Sequence, residues 1–151
     1  MRILMVCLGN ICRSPIAEGI LRYKVKENGK DWIVDSAGTE SYHVGEAPHK
    51  WSQKVCMEHG IDISSQIARR FTAEDFVKYD KIYALAHDVF NEIRSIGGKT
   101  ADMSRVDYLL NELYAGGNRS VPDPYYGQEK DYEYVFSLID ETCEAIIRKY
   151  K

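Results

Sequence analysis

Cys7 and Arg13, separated by Leu8-Gly9-Asn10-Ile11-Cys12, are the residues of this chain best placed to do chemistry. An apolar run over residues 3–7 leads into the cysteine, and Ser14-Pro15 follows the arginine. Strand, turn and helix are the expected context, with the turn at the carboxyl end of the strand, where open parallel sheets place ligands. The backbone N–H groups of Leu8, Gly9, Asn10, Ile11, Cys12, Arg13 and Ser14, with the helix start behind them, would cradle a dianionic phosphate. Gly9 is read as the residue that lets the chain bend into that cradle. Arg13 adds a planar fork able to grip two phosphate oxygens. The same groups favour negative charge on the Cys7 sulfur, the form that attacks phosphorus in line. A strand-end cysteine is ordinarily a core residue. The agreement of strand, loop and helix around Cys-x5-Arg-Ser is what marks this one as a nucleophile.

A leaving group needs a proton, and Asp123 in Val121-Pro122-Asp123-Pro124-Tyr125-Tyr126 is the best donor. Two prolines stiffen that loop, so a carboxyl group can be held over a distant pocket at small ordering cost. Asp123 would act first as acid and then, as carboxylate, as the base that activates water. Asp-Pro taken alone is common turn chemistry; it is the presence of Cys7 and Arg13 that gives it a second reading. Tyr125 and Tyr126, beside the acid, suit a wall on which a substrate ring packs.

The elements that must position these residues follow from periodicity. Strands are expected at residues 3–7, 32–34, 81–86 and 106–110, the last also compatible with a helix. Ser14 is read as an N-cap with Pro15 at the first helical position, and that helix closes at Asn28-Gly29. Further helices are expected after Pro48, around residues 72–77, over 88–96 and over 132–150, where Val135, Leu138, Ile139, Cys143 and Ile146 recur at helical spacing. Strands alternating with helices predict an α/β fold with a parallel sheet covered on both faces, in a single domain over residues 1–151. The segment 115–128 reads as a polar loop.

With 151 residues and a net charge of -3, the chain offers no basic footprint for nucleic acid and no polybasic arm for anionic lipid. Its longest apolar stretch is too short to span a bilayer and its start lacks the pattern of a signal peptide, so a cytoplasmic location is expected. Four cysteines at irregular spacing do not form a disulfide framework, and four scattered histidines, His43 and His49 among them, suggest no metal site.

Four motifs together carry a resemblance: VCLGNICRSPIAE over residues 6–18, DSAGT over 35–39, HGID over 59–62 and DPYYG over 123–127. The sequence resembles the low-molecular-weight protein tyrosine phosphatases over nearly its whole length. The resemblance implies a four-stranded parallel sheet flanked by helices on both faces (Rossmann-like, the phosphatase I fold), metal-free catalysis without a cofactor, and a phosphocysteine intermediate. It implies Cys7 as nucleophile, Arg13 as phosphate clamp, Asp123 as acid and base, and Ser14 as an aid to the departing thiolate. Asn10 resembles the family's loop-stiffening asparagine, which would be tied to Ser14, Ser36 and His59. Leu8, Ile11, Tyr42, Tyr125 and Tyr126 resemble the walls of a ring slot, and Cys12 a second loop cysteine able to pair with Cys7 on oxidation. The implied partners are phosphotyrosine-containing proteins, a tyrosine kinase among them, with inorganic phosphate as product and inhibitor and a monomer as the default state. One stretch departs from the pattern. Relatives carry Met-Asp at the end of the third strand, where this chain has Leu85-Ala86-His87-Asp88, so either Asp88 substitutes in a shifted register or that support is absent.

Three other readings fit less well. An arsenate reductase of related kind needs a further pair of cysteines near the third strand, and residues 79–91 contain none. A protein-arginine phosphatase places threonine where this chain has the apolar Ile11. A phosphate-binding module without turnover would lack the nucleophile or the acid, and both are present.

Overall fold

The structure, a computed structural model, describes residues 1–150. Its first strand, β1 (Arg2–Cys7), buries five side chains in succession after the arginine. A run without alternation is what a strand covered on both faces requires, since successive side chains point to opposite sides. β1 lies inside a parallel sheet of order β2-β1-β3-β4, with β2 at Ile33–Gly38, β3 at Lys81–Ala84 and β4 at Val106–Tyr108. Ile3, Met5 and Cys7 pack with residues of α1 (Arg13–Glu27), α2 (Lys50–Glu58) and α5 (Glu129–Lys149). Leu4 and Val6 face the other way, into a cluster built on Phe76 of α3 (Asp75–Lys78) and Val89 and Ile93 of α4 (His87–Gly97). Helices therefore cover both faces of four parallel strands, as expected from the alternation of elements.

Several boundaries differ from those expected, each for a local reason. α1 starts at Arg13 with Cys12 as its N-cap, not at Ser14. The Ser14 hydroxyl is engaged by Cys7 and Asn10 and so caps nothing. Pro15 still falls in the first turn, where a missing N–H removes no helical bond. β2 runs on through Ser36 and Ala37 to Gly38, because its pairing with β1 continues to Cys7. β3 stops at Ala84. β4 is only three residues long, and Leu109–Glu112 turns into a tight helical segment that buries Leu109 and Leu110. α5 begins at Glu129, ahead of the expected start, on a capping box in which Gln128 and Asp131 exchange side-chain and backbone bonds. Cys56 and Cys143 are wholly buried in the core, as expected for structural thiols.

The end of β2 presses on the turn that follows β1. A Cβ on Gly38 would stand 2.8 Å from the Leu8 carbonyl oxygen and 3.0 Å from the Asn10 nitrogen, contacts to backbone that no side chain can relieve. Gly38 also accepts from Phe71 N–H and donates to the Arg69 carbonyl, so the strand end is clamped from its outer side as well. Gly38→Ala should therefore lower stability by about 1–3 kcal/mol, read from urea unfolding midpoints. An unchanged midpoint would show that the turn yields without cost.

Candidate active site

The turn from Cys7 to Arg13 directs its carbonyls outward. Those of Cys7 and Leu8 accept from Thr39 and Glu40 N–H at 3.0 and 2.9 Å, that of Ile11 from His49 N–H at 2.8 Å, and that of Cys12 from the Ser52 hydroxyl at 3.3 Å. Among the described residues, the N–H groups of residues 9–13 donate to no protein acceptor. Fixed carbonyls outside and free amides inside make an anion-binding nest, reinforced by the N-terminus of α1. The left-handed residue of the turn is Asn10, with φ 59, and not Gly9. Asparagine tolerates that conformation better than most residues. Gly9 is small for another reason, since a Cβ there would stand 3.1 Å from the His43 ring.

A directed chain of hydrogen bonds holds the turn from behind. Asn10 donates through Nδ2 to the hydroxyls of Ser14 at 2.8 Å and Ser36 at 3.0 Å, and its Oδ1 accepts from Arg69 N–H at 3.0 Å. Ser36 in turn donates its hydroxyl hydrogen bond to Glu18 Oε1 at 2.8 Å. Ser14 Oγ, which accepts from Asn10, also lies 3.0 Å from Cys7 Sγ, a contact in which either atom can donate. The network thus reaches the Cys7 sulfur through Ser14. Arg69 is itself fixed by a two-pronged pairing with Asp75, both contacts at 3.0 Å.

Two expectations about this support need correction. His59 takes no part in it: its ring stacks on Phe136 at 4.1 Å, at the end of α2, and the Arg69 N–H occupies the position expected of it on Asn10. Asp88 is exposed in the first turn of α4 and accepts from Val89 N–H, so it does not support the turn. Glu18 was not anticipated. Its signal was present in the sequence as a charged residue on the buried face of α1, one turn beyond Ser14. Burial raises its pKa, against the opposing pull of the Ser36 hydroxyl and of Arg22 at 3.3 Å.

Cys7 forms the floor of a cavity of about 320 Å³, whose walls include Leu8, Ile11, Arg13, Tyr42, Asp123, Tyr125 and Tyr126. All the residues expected in a ring slot therefore meet there. Tyr125 meets Tyr126 edge-on at 4.8 Å, and Tyr126 is 95% exposed, a rim residue rather than a buried wall. Arg13, 4% exposed, donates from Nη1 to the Val121 carbonyl at 3.0 Å and places Nη2 3.5 Å from Asp123 Oδ2. Asp123 accepts from Tyr125 N–H through its other oxygen at 3.1 Å. Glu40 and His43 also line the cavity, and a loop histidine and glutamate gave no sequence signal. Cys12 lies beside the nest with its thiol 3.4 Å from the Tyr132 hydroxyl, and burial pushes that thiol up to about 12. Among the described residues no group of three His, Cys, Asp or Glu side chains is placed to hold a metal ion, and no helix is long and apolar enough to cross a membrane.

Comparison with known proteins places this geometry. The family model described as low molecular weight phosphotyrosine protein phosphatase matches residues 2–151. A low molecular weight phosphotyrosine protein phosphatase of Gallus gallus is 35% identical, over 97% of this chain and 94% of its own length. Among solved structures, a protein tyrosine phosphatase of Entamoeba histolytica with Hepes in its active site superposes with a TM-score of 0.90 at 33% identity, covering 99% of this chain and 96% of its own. YfkJ of Bacillus subtilis gives 0.90 at 34% identity, covering 98% and 92%.

The raised pKa of Glu18 has a pH consequence of definite sign. The folded chain binds the Glu18 proton more tightly than the unfolded chain, so this group's stabilisation is full at low pH and is lost as pH rises through the raised value. Glu18→Gln keeps an acceptor for Ser36 and removes the buried charge. Its stability relative to the parent should therefore improve from about pH 4 to about pH 7, measured as urea midpoints of both chains. A difference that stays flat or reverses would refute the assignment.

Proposed function

The chain belongs to the low molecular weight phosphotyrosine protein phosphatase family, which makes it a phosphoric monoester hydrolase, and we propose that it cleaves phosphotyrosine in proteins through a phosphocysteine intermediate on Cys7. The observation that carries this reading is the convergence in one cavity of the Cys7 sulfur, the free amides of residues 9–13, Arg13 and Asp123. The Cys7 thiolate attacks phosphorus as the phosphorus–oxygen bond to the tyrosine breaks, and Asp123 gives its proton to the departing phenolate oxygen. Water then attacks the phosphocysteine and loses a proton to the Asp123 carboxylate. Phosphate leaves, and the sulfur regains the hydrogen bond from Ser14.

Charge on the equatorial oxygens is met by Arg13 and the nest amides, so the reaction as written uses no metal ion. Hepes in the active site of the Entamoeba histolytica relative, a sulfonate buffer, supports reading the corresponding pocket as an anion site. The aromatic rim favours a phenyl ring over an aliphatic side chain. Phosphotyrosine-bearing proteins, tyrosine kinases among them, are the proposed partners, with inorganic phosphate competing for the nest as product.

Cys7 and Cys12 are both unpaired thiols. Peroxide oxidation of the Cys7 thiolate yields a sulfenic acid. The Cys12 thiol then displaces water from it to close a disulfide, which protects the nucleophile from further oxidation.

Cys7→Ser should abolish turnover and still bind phosphate, and near-normal activity in that variant would remove Cys7 from the role of nucleophile. Asp123→Ala should slow phenyl phosphate by about 100-fold and activated aryl phosphates far less, whereas equal losses would deny it the acid role. Rates on phosphotyrosine, phosphoserine and phosphoarginine peptides test the substrate class, with phosphotyrosine expected to lead. After peroxide, thiol should restore activity to the parent but not to Cys12→Ala; equal recovery of both would dismiss the resolving role.

A further inference from the structure

The acid sits on a loop that has few ways to hold itself in place. Residues 114–120 are exposed throughout, and Asp123 is itself exposed, between the buried Val121 and Pro124. Within the cavity the carboxyl group is fixed by its turn to Tyr125 N–H and by the 3.5 Å approach of Arg13. Neither suffices during turnover. The turn to Tyr125 is internal to the loop, and Arg13 Nη2 must face phosphoryl oxygens once substrate is bound. The loop therefore needs an anchor on the scaffold that the reaction does not disturb.

Two anchors stand next to each other, upstream of the acid. Val121, fully buried, donates its N–H to the Leu85 carbonyl at 2.7 Å. Ser120 accepts through Oγ from His87 N–H at 2.9 Å, across 33 residues of sequence. The second contact solves a problem for both partners. α4 opens with Ala86 at its N-cap, a residue with no side-chain oxygen to offer, so the N–H of His87 has no capping partner within its own segment. Ser120 supplies that cap from the acid loop. The start of α4 follows directly on β3, whose pairing with β1 at Val6–Ala84 sets it against the strand that carries Cys7. Only Val121 and Pro122 lie between Ser120 and Asp123, and the proline fixes one of the few torsions that could absorb a displacement.

Resting on the reading of Asp123 as general acid, we propose that Ser120 is a positioning residue for that acid, which ties the height of the Asp123 carboxyl above Cys7 to the first turn of α4. Its loss lets the residues around Asp123 swing about Val121, which stays held by the Leu85 carbonyl and by Arg13, and weakens protonation of the leaving group. The nest and the clamp are therefore left as they were. The signature is therefore a loss confined to kcat on substrates that need the proton.

The test compares Ser120→Ala, Ser120→Thr and Asp123→Asn, and the Ser120→Ala/Asp123→Asn double variant, on phenyl phosphate and p-nitrophenyl phosphate. Ser120→Ala should lower kcat on phenyl phosphate by about tenfold, with KM unchanged and little effect on the nitrophenyl ester. Threonine, which keeps the hydroxyl, should retain most of the rate, and Ser120→Ala should add nothing once Asp123 is Asn. Equal losses on both esters, no loss, or a further loss in the double variant would overturn the proposal. If Asp123→Asn itself shows no dependence on the leaving group, the acid assignment fails and the proposal falls with it. If only Ser120→Ala lacks that dependence, the acid stands and the proposal alone is wrong.

Discussion

The structure depends on one inversion of ordinary backbone behaviour: a turn after β1 that gives its carbonyls to the scaffold and keeps its amides for an anion. Unpaired N–H groups away from water carry a free-energy penalty, so a protein normally pairs them. Here the carbonyls of Cys7, Leu8, Ile11 and Cys12 are each bound from outside, by residues of the 39–52 segment. The turn cannot rotate to pair its amides without breaking those bonds. A dianionic phosphoryl group relieves the penalty, which makes the nest selective for the charge it must stabilise.

The rest of the fold can be understood as keeping that turn rigid. Gly38 permits β2 to lie against it, and the Asn10 hub ties it to α1 through Ser14 and to β2 through Ser36. Glu18 is a buried carboxylate of this layer, and Ser36 and Arg22 both meet it. Ser36 donates to Glu18 while accepting from Asn10, so this arm of the hub has a partner at each end. The Met-Asp support of the resemblance is absent here: Ala86 is buried among apolar residues, and Asp88 accepts from Val89 N–H of its own helix.

Asp123 belongs to a different part of the molecule and is held by different means. Its loop spans the carboxyl ends of the inner strands and is pinned at Leu85 and His87 on one side and by Arg13 on the other. The nest is rigid because many hydrogen bonds over-determine it, while the acid loop has a few anchors and much exposed chain. That contrast suits a reaction in which phosphate is gripped in place and a leaving group of variable shape must depart past the aromatic rim.

Residue order alone determined the class of fold and the side chains that meet in the cavity. An unbroken apolar run, a cysteine five residues ahead of an arginine, and a proline-stiffened aspartate are local patterns whose physics does not depend on the partners they later meet. Cys7, Arg13, Asp123 and the aromatic rim were legible for that reason. What tertiary structure decided were relations between segments far apart in sequence. His59 was a reasonable partner for Asn10 by motif, yet the folded chain puts an Arg69 amide there, and the histidine goes to Phe136. The left-handed residue proved to be Asn10, not Gly9, whose Cβ would instead stand 3.1 Å from the His43 ring. Ser120 reaching the start of α4 could not be read from either segment, because a hydrogen bond across 33 residues leaves no trace in local composition. Periodicity reports which face of an element is buried; it carries no information on which distant polar group will satisfy a given amide.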